Sequence, residues 1–355
     1  AAAGEIERID DWEKNASLRK LRTIVMEDMV HNGFMLDEIL LDPNADNSEA
    51  LQHRLFFKMR VLRGDDVQAK DYAIYFCTND SYLCATLVSI VSLVENNREL
   101  TSDAALYVAI DGRMAPRARE LCAKLSEKLE VPIEVIDADT IIPKETKFEA
   151  GYGMFTGGHT LADAAYYRIY VADHLASQRK HKRALYIDSD TVILGGLDKL
   201  FWIHSEAPLM ARLEVPRPEV DAAIRMHDLP PNGYFNSGVL YFDLGNRRLR
   251  DHLQKTIRAI ADPECKLLFQ DQCALNIGFK GAFAPLRESF NYVTKPDGDG
   301  DIESGVVVHF LDRPKPWDPA YPGAICRLWY NYWHKLAGYV GSEDALQLYR
   351  AANRG

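Results

Sequence analysis

No C-x-x-C pair occurs among the 6 cysteines of this 355-residue chain, Cys77, Cys84, Cys122, Cys265, Cys273 and Cys326. Several of them sit in apolar runs, where a thiol behaves as a small hydrophobe, so neither a cysteine metal cluster nor a redox pair is indicated. The chain also lacks any excess of positive charge: 42 Lys and Arg stand against 52 Asp and Glu, a net charge of -10. That balance argues against broad nucleic-acid binding and against a surface held to anionic lipid by charge alone. The longest apolar run, near Cys84 to Val94, falls short of the roughly 20 residues a membrane-spanning helix needs. The first residues, A-A-A-G-E-I-E-R-I-D, carry no charged-then-apolar signal pattern, and the expectation is a cytoplasmic protein. A G-x-G-x-x-G fingerprint is missing too, which disfavours a dinucleotide site in the glycine-rich stretch Phe148 to Thr160.

What remains is ordinary globular composition, 47% hydrophobic and 26% charged, enough for one large domain or two smaller ones. Its most informative stretch is Arg183 to Leu194, R-A-L-Y-I-D-S-D-T-V-I-L. Ala184 to Ile187 has the look of a strand buried in mid-sheet, and it stops on Asp188, Ser189 and Asp190. Carboxylates at the end of a buried strand need a cation or a ring of donors. In extended chain, residues i and i+2 point the same way, so Asp188 and Asp190 can offer oxygens to one ion while Ser189 turns aside. Hard divalent cations such as Mg or Mn take such ligands. A D-x-D after a strand is also common as a plain turn or helix cap.

Residues 1–68 read as a helical N-terminal extension: Leu18, Leu21, Val25 and Met29 recur at helical spacing, and Leu55, Phe56, Met59 and Leu62 repeat the pattern. The character changes near residue 69. Tyr72 to Cys77 is a predicted strand, Thr78 to Ser81 a polar turn, and Tyr82 to Leu93 an apolar helix. Ala104 to Ile110, Pro116 to Leu129 and Ile133 to Ile136 continue as strand, helix and strand. Such alternation implies an α/β fold with a mainly parallel sheet, in which ligands sit beyond the carboxyl ends of the strands. Asn79 and Asp188 to Asp190 both fall at such ends, facing one cleft. Phe148 to Thr160 reads as a lid before the helix Leu161 to Leu175, which carries Arg168 among tyrosines. An arginine there either snorkels to the surface or pairs with an aspartate or a ligand.

Three later signals are dull one by one: G-Y-F-N-S-G-V-L-Y-F, F-Q-D-Q-C-A-L-N at a helix start, and V-V-V-H-F followed by K-P-W. In order with F-C-T-N-D-S-Y, A-Y-Y-R and L-Y-I-D-S-D they form a specific set. From about Asp71 to Trp317 the chain resembles the family-8 retaining glycosyltransferases, which include bacterial lipopolysaccharide galactosyl- and glucosyltransferases and the relative glycogenin. The resemblance implies a GT-A catalytic domain over residues 69–320, a UDP-galactose or UDP-glucose donor, a saccharide or lipid-linked saccharide acceptor, and a Mn or Mg ion. It also implies roles. Asp188, Asp190 and His309 hold the metal against the diphosphate, Ser189 accompanies them at the nucleotide, and Lys315 reaches the diphosphate. Cys77 and Asn79 lie against the uracil, while Arg168, Asn236, Ser237, Asp271 and Gln272 line the donor sugar. Gln272 and Asp271 are the catalytic candidates, through a covalent intermediate or by bracing the cation while nucleophile and leaving group share one face. Gln272 is a poor nucleophile, which favours the second route.

Two residues depart from the family pattern. Asn79 stands where aspartate is frequent, and Asp312 stands three residues after the histidine, where glycine is usual. Two other classes compete: a haloacid dehalogenase-like phosphatase, from D-S-D-T, and a non-catalytic relative that binds a nucleotide sugar. Residues 321–355 read as a helical C-terminal tail, whose Trp329, Tyr330, Tyr332 and Trp333 beside Arg327 and Lys335 suit either packing on the domain or peripheral contact with an inner membrane face.

Overall fold

The computed structural model describes residues 59–61, 71–146, 148, 163–201, 203–231, 233–296 and 305–353. The chain divides into two compact units, Ala1–Val67 with Lys199–Ala207, and Gln68–Asp198 with Pro208–Gly355. In the first, β1 (Met59–Val61) pairs antiparallel with β7 (Ile203–Ser205). Met59 therefore lies in a strand and not in the helical repeat its spacing suggests; a main-chain partner so far along the chain leaves no trace in local periodicity. The rest of the expected helical extension lies outside the described residues, as does the glycine-rich stretch after Phe148.

The second unit runs β2 (Tyr72–Cys77), α1 (Leu83–Asn96), α2 (Arg98–Asp103), β3 (Ala105–Ile110), α3 (Ala115–Leu129), β4 (Ile133–Asp137), α4 (Ala164–Gln178), β5 (Arg183–Ile187) and β6 (Thr191–Ile193). A single turn, α5 (Asp198–Phe201), precedes β7. Then come β8 (Leu209–Leu213), α6 (Pro218–Met226), β9 (Phe235–Asp243), α7 (Leu249–Ala261), α8 (Gln270–Phe279), β10 (Ala284–Pro285), β11 (Tyr292–Thr294), β12 (Val307–Phe310), α9 (Cys326–Val340) and α10 (Ser342–Ala352).

A seven-stranded sheet has the order β10-β8-β9-β5-β2-β3-β4. Its β5-β2-β3-β4 half is parallel, and β9 runs antiparallel between β5 and β8, giving the mixed, mainly parallel α/β sheet expected. All six residues of β2 and all five of β5 are buried, which is why Tyr72 to Cys77 and, after Arg183, Ala184 to Ile187 read as apolar runs without alternation. The apolar stretch at Leu83 to Val94 is a helix buried along its whole length. One side of α1 meets β6, and α9 and α10 pack on it from elsewhere. Of the aromatic residues of α9, Trp329 packs on its own domain: it is fully buried and its ring lies 5.5 Å from that of Trp317. Among the described residues, no helix is long and apolar enough to cross a membrane.

Two features position the site. A second sheet, β11-β12-β6, joins the first where the chain passes from β5 to β6, so Asp188, Ser189 and Asp190 form the crossover between sheets. In the antiparallel β12-β6 pair His309 stands opposite Thr191, one residue from Asp190, and the Phe310 N–H donates to the Asp190 carbonyl. The other feature is α8, whose first turn carries Asp271 and Gln272. It crosses α7 at Gly278, where a Cβ would fall 1.9 Å from Thr256 Oγ1, so only glycine allows that approach.

Candidate active site

Asp188 and Asp190 are each gripped by one oxygen and presented by the other. The Arg168 guanidinium lies 2.9 Å from Asp188 Oδ1, to which the buried Tyr186 hydroxyl also donates. Lys315 Nζ lies 2.7 Å from Asp190 Oδ2 and donates to the Phe310 carbonyl at 2.6 Å. The remaining oxygens, Asp188 Oδ2 and Asp190 Oδ1, lie 3.7 and 3.3 Å from His309 Nε2. One ligand atom from each of the three residues falls within 4.8 Å of the other two. Two carboxylate oxygens and one imidazole nitrogen suit a hard or borderline divalent cation. The grip on the outer oxygens fixes the inner ones, so the donor set is pre-formed and fits the ion the sequence implies.

The charges agree with that reading. Burial favours the neutral form of Asp190, yet the surrounding groups, Lys315 foremost, outweigh it and hold the carboxyl well below the usual range. Burial would likewise neutralise Lys315, and Asp190 reverses that, keeping the ammonium charged. Arg168 is a buried hub: it also reaches Asp271 Oδ2 at 3.3 Å and donates to the Ser237 carbonyl at 2.8 Å, with its guanidinium 4.5 Å from the centre of the Tyr186 ring. Of the two readings of that arginine, pairing with aspartates is the one observed.

Asp271 is the group this environment perturbs most usefully. Burial pushes its carboxyl up to about 6 from 3.8, although Arg168 opposes the shift. A carboxyl that holds its proton more tightly when folded contributes stability that is full below its unfolded pKa and is lost as pH rises through its folded pKa. Relative to Asp271→Asn, the wild type therefore loses stability between pH 3.8 and about 6 and levels off above. Calorimetry of both proteins at stepped pH checks this; a constant difference in melting temperature across the window contradicts it.

The remaining predicted residues take up distinct places. Ser237 donates from its hydroxyl to Asp271 Oδ2 at 3.0 Å, and its N–H donates to Gln272 Oε1 at 3.1 Å. Gln272 and Asn236 both donate to Glu214 Oε2, at 3.1 and 3.0 Å. Ser189 does turn aside, donating to the Cys77 carbonyl at 3.0 Å and so tying the crossover to the end of β2. The Cys77 thiol is buried, and burial pushes it far above the usual thiol range. Asn79 Oδ1 accepts from the Tyr82 N–H and the Ser81 hydroxyl, closing the polar turn that leads into α1. Asp312 has φ +60, a left-handed conformation in which glycine is the natural residue and aspartate is tolerated. Its carboxylate lies 3.6 Å from Lys295, which offsets the negative charge this departure introduces.

Glu214, Asn291, Tyr186 and Gly238 complete the cluster and are not singled out by sequence reasoning. Glu214 carries a usable signal, since it follows the mostly apolar strand L-M-A-R-L as Asp188 follows its own. Around it the β8-β9 register is irregular between Ala211 and Leu213, a bulge that frees Asn236 to Gly238 from pairing with β8.

A mixed α/β sheet with an acid pair at a strand end, facing a histidine and a lysine, defines a GT-A type glycosyltransferase. Solved structures agree on the fold. Galactosyltransferase LgtC in complex with donor and acceptor sugar analogues superposes with TM-score 0.56 at 19% identity, covering 75% of this chain and 95% of that one. The bifunctional glycosyltransferase WbbM gives 0.58 at 13% identity, covering 83% and 53%. The profile of glycosyl transferase family 8 matches residues 73–320, well over half the chain, and the chain belongs to that family. Related sequences include general stress protein A of Bacillus subtilis, 28% identical over 69% of this chain and 87% of its own. The lipopolysaccharide 1,2-glucosyltransferase of Escherichia coli is 25% identical over 67% and 70%. Membership of family 8 displaces the haloacid dehalogenase-like alternative.

Proposed function

We propose that the enzyme transfers a hexose, galactose or glucose, from a UDP-sugar to a saccharide acceptor in bacterial surface-glycan synthesis, with retention and with a divalent ion, Mn or Mg. The observation that carries this reading is the convergence of Asp188, Asp190 and His309 with their free ligand atoms turned together. The Escherichia coli relative's description as a lipopolysaccharide glucosyltransferase supports the acceptor class.

When bound, the ion supplies Lewis acidity that stabilises the departing diphosphate. Asp188, Asp190 and His309 hold it there, with the imidazole completing the ligand set without a third negative charge. Lys315 has three N–H donors and gives two to Asp190 and Phe310, so one remains for a phosphate oxygen. Cys77 and Asn79 lie at the uracil end, where the Ser189 hydroxyl ties the crossover after β5 to the end of β2. As the C1–O bond breaks, its electron pair leaves with UDP and positive charge builds on the sugar. Asp271, ionised above pH about 6, faces that charge across from Arg168. Gln272 and Asn236, pinned by Glu214, line the sugar together with Ser237 and Arg168. Gln272 has both ends of its amide engaged, which supports bracing over covalent attack. The acceptor hydroxyl then attacks the face UDP vacates, and its proton passes to the departing phosphate oxygen.

A panel of nucleotide sugars, assayed for binding, hydrolysis and transfer with and without Mn, tests the reading. Expected is turnover of UDP-galactose or UDP-glucose that disappears with chelator. Tight binding of a UDP-sugar with no turnover of any donor supports the non-catalytic alternative instead.

A further inference from the structure

A chain of hydrogen bonds with one permitted direction runs from the main chain to the imidazole of the metal-binding cluster. The Gly238 N–H can only donate, and it lies 2.9 Å from the side-chain oxygen of Asn236. That fixes the Asn236 amide: oxygen toward Gly238, nitrogen toward Glu214. The same Asn236 oxygen lies 2.8 Å from the side chain of Asn291, which must therefore present its NH2 there. The Asn291 oxygen is then left facing His309 Nδ1 at 2.9 Å, and an oxygen acceptor requires a proton on Nδ1. A neutral imidazole with its proton on Nδ1 carries its lone pair on Nε2, the nitrogen turned to Asp188 and Asp190.

The surroundings leave the relay little freedom. Asn236 and His309 are buried, and Asn291 is wholly so. A Cβ on Gly238 would fall 2.2 Å from His309 Cε1, so the residue that starts the relay also makes room for the ring at its end. We propose that Asn291 is a positioning residue for metal binding, taking its orientation from the Gly238 main chain through Asn236 and holding the lone pair of His309 Nε2 toward the two aspartates. The inference rests on the metal reading of the cluster, and goes beyond it by assigning an asparagine that touches neither ion nor substrate.

The test uses the full chain and Mn alone, with free Mn measured by electron paramagnetic resonance. Asn291→Leu keeps the size and removes the acceptor; Asn291→Asp keeps an acceptor toward Nδ1. Loss of a metal ligand's outer partner costs about ten- to a hundredfold in metal affinity, so Asn291→Leu is expected to weaken Mn binding by that factor. Asn291→Asp sets an oxygen where Asn291 gives Asn236 an NH2, and its protonated form restores that donor, so it is expected to lose less than Asn291→Leu, under about tenfold. Equal losses in both variants, or an Asn291→Leu affinity like the wild type's, overturn the proposal. If Asn291→Leu does not fold, nitrogen-15 correlation spectra of the wild-type imidazole decide: neutral His309 should carry its proton on Nδ1, and a proton on Nε2 with Nδ1 bare overturns it. Absence of Mn binding by the wild type overturns the metal reading itself, which keeps the two failures distinct.

Discussion

Asp190→Ala is expected to lower Mn-dependent sugar transfer by roughly a thousandfold, the upper range for removing one pre-organised electrostatic stabiliser. The substitution deletes the oxygen that lies 3.3 Å from His309 Nε2 and leaves the Lys315 ammonium with the Phe310 carbonyl and only Asp188 as counter-charge. Lys315 is buried, so the freed cation is expected to turn toward the diphosphate or lose its proton; neither restores a ligand to the ion. Asp190→Asn separates charge from shape. It preserves an oxygen toward Lys315 but cannot supply the anionic ligand, and its transfer rate should stay close to that of the alanine variant. Initial-rate assays at saturating Mn check both, with circular dichroism to show that the variants fold. Wild-type turnover in either variant removes Asp190 from the reaction.

Arg168→Met is expected to cost about 3–5 kcal/mol of stability, the loss typical of stripping the partner from a buried ion pair. Two buried or half-buried carboxylates, Asp188 and Asp271, share this guanidinium, and Tyr186 lies beneath it. For a domain of this size the loss corresponds to a fall in melting temperature on the order of 10 °C. Because Arg168 opposes the burial that raises Asp271, removing it should push that carboxyl higher still. The deficit should therefore shrink as pH is lowered and Asp271 takes up its proton. Arg168→Met combined with Asp271→Asn should be more stable at neutral pH than Arg168→Met alone. Melting curves of the three proteins across pH test this, and an Arg168→Met protein as stable as wild type contradicts it.

Asp188 and Asp190 are legible because Ala184 to Ile187 is an unbroken apolar run, as burial in mid-sheet demands, so an acid at its end stands out. The alternation of strands and helices after residue 69 was legible for the same reason. His309 was legible only with the rest of the motif set, since its closeness to Asp190 comes from the β12-β6 register, a non-local pairing. Asn291 was not legible at all. An asparagine after a phenylalanine has no local signature, and its role arises from meeting Asn236 across 55 residues of sequence. The β1-β7 pairing was missed on the same ground. Motif position marks Asn79 and Ser189 for the nucleotide; what folding adds is that the Asn79 side chain closes the turn into α1 and the Ser189 hydroxyl ties the crossover to the end of β2.

The proposed transfer needs one ion held jointly by Asp188, Asp190 and His309 at the UDP end of the donor. Anomalous diffraction from crystals grown with Mn and UDP measures this directly. A single Mn peak is expected within about 2.0–2.6 Å of Asp188 Oδ2, Asp190 Oδ1 and His309 Nε2, the spacing at which hard divalent ions sit from such ligands, and in contact with the diphosphate. A peak bound elsewhere, or UDP ordered in the cleft with no Mn between these three side chains, contradicts it.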